Sequence, residues 1–162
     1  MQWDLFSVEE KPEGMKDPLQ EAKELLRKNF AAGINCPCCG QLVKKYKRKL
    51  NSGMAITLIR IFNNPRSGEW INVKDFLREN KFPNSHDWTL LRYWGFLEER
   101  QEEGTSGEWR VTDDGRDFAL NQRIAKKHLF LFDNRFYGWG EATTNILEAL
   151  GDKFNYFELM RG

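Results

Sequence analysis

Two neighbouring groups of residues in this sequence are of types that do chemistry. Cys36-Pro37-Cys38-Cys39-Gly40 places all three cysteines of the chain within four positions. Cys36 and Cys39 are spaced as in a zinc knuckle. Two thiolates separated by two residues can turn toward one metal, Pro37 fixes the entry, and Gly40 lets backbone amides fold back toward the sulfurs. One knuckle supplies two of the four ligands that a structural tetrahedral site requires. The side chains able to extend it are Cys38, His86 and His128, and Cys36, Cys39 and His128 form the candidate zinc set. The competing reading is a turn whose cysteines act as small apolar residues. A redox pair of Cys36 and Cys39 lacks the strand–helix setting of thioredoxin-like motifs.

The second group follows at once: Lys44, Lys45, Tyr46, Lys47, Arg48 and Lys49, five cations around one aromatic ring. Such a run can follow a phosphate backbone while the ring stacks on an exposed base. Lys74, Arg78 and Lys81 recur at helical spacing and add a second basic face. Arg123, Lys126 and Lys127 add a third group. The competing reading is a solvated surface that balances the 24 acidic residues of the chain. Catalytic signatures are missing: there are two histidines, and no nucleophile motif, phosphate loop or HExxH. Asp113-Asp114 suits a helix start, and the glycines of Gly138-Trp139-Gly140-Glu141 suit turning geometry. A non-enzymatic protein is expected.

Composition sets the frame for these groups. A chain of 162 residues with 40 % apolar side chains, including six Trp and twelve Phe, can bury one core with a small appendage. The net charge is +1, so any basic surface must be local. No apolar run reaches the length of a membrane helix, and the first residues lack the pattern of a signal peptide. An odd number of clustered cysteines makes a poor disulfide framework, which points to a reducing, cytoplasmic setting.

The elements that must position these residues follow from periodicity and caps. Residues 1–16 have no period and are expected to form a flexible arm. Asp17-Pro18 opens a helix with Leu19, Ala22, Leu26 and Phe30 on one face; with the Cys knuckle and basic segment it makes a unit over 17–50. Ser52 can cap a helix carrying Ala55, Leu58, Ile59 and Phe62, ended by Asn63-Asn64-Pro65. An extended piece, residues 69–71, precedes a helix capped by Asn72. Asn84 or Ser85 caps a third helix with Trp88, Leu91 and Trp94, closed by Gly95. Residues 96–101 and 108–111 form a hairpin, and Thr112 caps a helix running past Phe118 toward Ile124. In the tail, 126–162, an apolar alternation around Asp133-Asn134 predicts a second hairpin. Thr143 or Thr144 then caps a helix closed by Gly151, and Asn155 caps the last one.

Over 51–125 the order is helix, short strand, helix, turn, helix, two-stranded wing, helix. The stretch LLRYWGFLEER, followed by the Gly-rich turn and EWRVTDDGRDFAL with its Thr112-x-x-Gly115, resembles winged helix-turn-helix domains related to MarR and PadR regulators. The whole chain, from CPCCGQ to EALGDKFNYFELM, also resembles small bacteriophage-encoded winged-helix proteins. The resemblance implies an α+β protein: a winged helix-turn-helix core, an N-terminal helix with a zinc-knuckle-like segment, and a C-terminal β-hairpin plus helix. It also implies a DNA-binding regulator of viral origin. The wing argues against the ordinary groove-binding mode, since it carries five glutamates (98, 99, 102, 103 and 108) that oppose phosphate. The third helix offers Arg92 as its fixed cation. Two functions follow. One is a nucleic-acid-binding protein that uses Lys44–Lys49, Lys74, Arg78, Lys81 and Arg92 rather than the wing. The other is a protein-interaction module that binds and redirects a host or phage complex through the acidic wing and aromatic tail. Neither excludes a homo-oligomer.

Overall fold

The computed structural model describes residues 18–105 and 107–161. The arm expected at 1–16, and Asp17, lie outside the described residues. The chain is an α+β protein with small antiparallel sheets, and no helix among the described residues is long and apolar enough to cross a membrane. The described residues divide into two compact units: 18–46 with 132–135, and 47–105 and 107–131 with 136–161.

In the first unit, α1 (Pro18–Asn29) buries none of its residues fully. Strands β1 (Ile34–Asn35) and β2 (Leu42–Val43) pair antiparallel, Ile34 opposite Val43. Phe30 at the end of α1 meets Phe132 edge-on, with ring centroids 5.4 Å apart.

The second unit is built around α2 (Ser52–Phe62), in which every residue from Met54 to Ile59, and Ile61, is buried. Asn51 caps it rather than Ser52, accepting a hydrogen bond from the Met54 N–H at 2.9 Å; an amide oxygen one residue earlier reaches the third free N–H of the first turn. Strand β3 (Tyr46–Lys49) leads into α2, so part of the basic run is extended. Next come β4 (Ile71–Asn72) and α3 (Val73–Glu79), capped by Asn72 as the sequence indicates.

The third helix departs from expectation. It is a 3-10 segment, Asp87–Arg92, preceded by His86 in a left-handed conformation (φ 58°) without a side-chain cap. Asn84 is occupied elsewhere: its side-chain oxygen accepts from the Trp88 indole N–H at 3.0 Å and from the His86 N–H at 3.2 Å. This arrangement seats Trp88 in the core, edge-on to Trp109 at 5.2 Å.

Strands β5 (Leu97–Glu99) and β6 (Glu108–Val111) form the expected hairpin, and β4 pairs on the outer side of β6. Thr112 caps α4 (Asp113–Ala119) by accepting from the Gly115 N–H at 3.0 Å. The helix stops short of the expected Ile124, because Asn121 turns left-handed (φ 59°) and β7 (Ala125–Lys126) begins. Strands β8 (His128–Phe132) and β9 (Arg135–Trp139) surround the predicted turn at Asp133-Asn134, both residues left-handed. They complete a sheet in the order β3-β8-β9. Thr143 and Thr144 are not caps. They form β10 (Thr143–Thr144) against β7, and Asn145 caps α5 (Ile146–Leu150). Ile146, Ala149 and Leu150 join the core around α2, and α6 (Tyr156–Met160), capped by Asn155, packs Leu159 and Met160 against it.

Candidate nucleic-acid interface

Strand β3 exposes all four of its side chains. Strand alternation sends Lys47 and Lys49 to one face and Arg48 to the other. The strand is held from β8 onward: the Leu50 N–H donates to the Lys127 carbonyl at 2.9 Å, and the Lys127 N–H donates to the Ala142 carbonyl at 2.8 Å. His128 opens β8. Its imidazole pKa is held below the ordinary value of 6.5, chiefly by burial and then by the positive charges of Lys47, Lys127 and Lys49. The fields of three lysines from neighbouring segments therefore converge on one point. Among the described residues, none of Lys47, Arg48, Lys49, Lys126 and Lys127 forms an ion pair.

The acidic hairpin is different. Arg100, just beyond β5, reaches Glu102 at 2.7 Å and Glu108 at 3.1 Å. Arg110 sits opposite Glu98 in the strand register and pairs with it. Trp70 lies under both guanidinium groups, 4.4 Å from Arg110 and 5.9 Å from Arg100. The arginines of this hairpin are thus already neutralised by its own glutamates. Sequence reasoning missed that role for Arg110, which only the strand register makes visible.

The remaining basic candidates are dispersed. Lys44, Lys45 and Tyr46 belong to the first unit, where the Lys44 ammonium lies 5.9 Å from the Tyr46 ring centre. The face expected from Lys74, Arg78 and Lys81 does not form as drawn. Arg78 pairs with Asp75 at 2.7 Å, and α3 ends at Glu79, which leaves Lys81 in a left-handed turn (φ 56°). Arg92 is exposed, and its guanidinium stands 5.0 Å from the ring of its neighbour Tyr93.

Cys36 and Cys39 share a turn in the first unit, closed by the Gly40 N–H donating to the Cys36 carbonyl at 2.8 Å. All three cysteines are free thiols, Cys38 and Cys39 exposed. The backbone N–H groups of Cys39 and then Cys38 hold the Cys36 thiol below its ordinary pKa. His128 belongs to the second unit. Among the described residues, no group of three or more His, Cys, Asp or Glu side chains is arranged to hold a metal ion.

The aromatic tail of the sequence reading resolves into a specific cluster at the end of β9. Trp139 on β9 is 39 % exposed, with its ring centre 5.6 Å from Trp94 and 5.0 Å from Phe136. The alternation in 128–139 signals a hairpin without showing which rings meet. No family model matches the chain, and no curated protein or solved structure matches it.

Proposed function

We propose that this is a non-enzymatic nucleic-acid-binding protein with a winged helix-turn-helix core, in which the phosphate backbone lies along β3 rather than along the acidic hairpin. The order α2, β4, α3, 3-10 segment, β5, β6, α4 supports the winged-helix reading. One observation carries the binding face: Lys47, Lys49 and Lys127 form no ion pairs among the described residues, whereas the hairpin arginines are paired. An unpaired lysine releases counterions on meeting phosphate, while a paired arginine must first lose a carboxylate. The 3-10 segment, with one exposed cation in Arg92, is a poor groove reader.

A salt series tests this proposal. Affinity for a labelled oligonucleotide should fall steeply with salt. Lys47→Glu with Lys49→Glu, on one face of β3, should flatten the slope by about one unit for each phosphate left without its cation. Unchanged binding in that double variant rules out β3 as the binding strand. A second reading, a protein-interaction module of the kind found in viruses, is favoured by the exposed Ile124 and Phe157, 69 % and 67 % accessible. In that case Glu102→Lys with Glu103→Lys, or Phe157→Ser, weakens partner recovery and leaves nucleic-acid binding untouched.

A further inference from the structure

We infer that the depression beside β3 receives an unpaired base of a single-stranded nucleic acid, with Trp139 as the stacking surface and Lys47 as the phosphate ligand. This rests on the proposed binding face and names the form of nucleic acid that fits it.

The segment Gly138-Trp139-Gly140-Glu141 runs off the end of β9. Its indole is half-exposed yet held in place, because Trp94 beneath it is 8 % exposed and donates its indole N–H to the Lys126 carbonyl at 2.7 Å. Phe136 meets the edge of Trp139. A large ring fixed on a rigid support offers stacking area at little entropic cost.

The backbone beside the ring is drawn in close. The Gly140 N–H donates to the His128 carbonyl at 2.8 Å, and a Cβ at Gly140 would stand 3.1 Å from the His128 Cβ. A side chain there would crowd the wall of a depression of about 470 Å³, lined by Lys47, His128, Phe130, Trp139, Gly140 and Glu141. That size lies within the range of small-ligand sites.

The lining has the chemistry for a base with its phosphate. Lys47 supplies a cation that forms no ion pair among the described residues. A neutral His128 offers one donor and one acceptor to a base edge. Glu141 is the acidic member, able to accept from a base N–H such as N3–H of thymine. A duplex keeps its bases stacked on one another and shows no ring face to Trp139, so the occupant is single-stranded.

The test compares three labelled probes by fluorescence anisotropy: oligothymidylate of about twelve nucleotides, an abasic strand of the same length, and a duplex. Thymidylate should bind tightest. Trp139→Ala should weaken it about tenfold while moving the abasic strand less than about twofold, and Trp139→Phe should retain most of the affinity. Equal weakening on both single strands, or abasic binding as tight as thymidylate, overturns the base pocket. So does duplex binding tighter than either. If all three probes bind alike and respond to Lys47→Glu, only the pocket fails. If none binds, the β3 face fails with it. The thermal unfolding midpoint of each Trp139 variant separates a missing stacking surface from a damaged fold.

Discussion

Gly115 occupies a position where a side chain has no room, although its backbone is ordinary helix. A Cβ there would fall 2.2 Å from the Phe96 carbonyl oxygen and 2.9 Å from the carbonyl carbon. The approach is fixed from both sides: the Thr112 hydroxyl donates to the Gly95 carbonyl, and the Thr112 N–H donates to the Phe96 carbonyl at 3.1 Å. Gly95 itself turns left-handed (φ 73°), a conformation that costs most residues dearly. Since backbone cannot step aside as a side chain can, Gly115→Ala should destabilise the protein by roughly 3 kcal/mol. The check is a urea midpoint at unchanged m-value; a drop below about 1 kcal/mol would mean that α4 shifts freely. A second residue-scale expectation concerns reactivity. Cys36 is less exposed than Cys38 and Cys39, and N–H groups of the turn make its thiol more acidic than an ordinary cysteine. The thiolate is the nucleophile, so limited alkylation near neutral pH followed by peptide mapping should find Cys36 modified first. Faster labelling of Cys38 or Cys39 would show that access outweighs acidity.

At the scale of elements, the pairing of β3 with β8 carries a pH dependence. His128 has its folded-state pKa depressed by burial and by Lys47, Lys127 and Lys49. The unfolded chain therefore takes up the proton first as pH falls. The stability contribution is complete above the unfolded value of about 6.5 and is lost as pH drops from there through the lower folded value. His128→Gln should flatten the decline of the urea midpoint below about pH 6.5, and an unaltered acid limb would remove His128 from the account. Elements defined by local chemistry are legible in the sequence. Asn72, Thr112 and Asn155 cap where their spacing says they should, and Asp133-Asn134 makes the tight turn. Elements decided by competition for one polar group are not. Asn84 is a good helix cap by type, but the buried indole of Trp88 claims its oxygen, and a 3-10 segment replaces the helix. Thr143 and Thr144 escape a local reading because their β-branched pair finds a partner in β7, far back in the chain.

At the scale of the molecule, the candidate site is only partly visible in advance. The basic run announces itself by composition, but which of its members lack a carboxylate partner depends on register and on distant strands. Trp139 stands in a Gly-Trp-Gly-Glu segment that reads locally as turning geometry: its role depends on Trp94, from a different element, lying beneath it. Tail residues Ile146, Ala149 and Leu150 enter the core with α2 because their apolar stripe has no other surface to cover. One further property follows from the strand order β3-β8-β9, in which β3 is an outer strand. Unpaired peptide groups along such a border invite a neighbouring chain to extend the sheet, and a row of lysines forbids it by mutual repulsion between copies. The positive charge proposed to recruit a polyanion would therefore also act as a guard against fibrillar stacking. Neutralising it, by acetylation or by a bound strand, would lift both duties together.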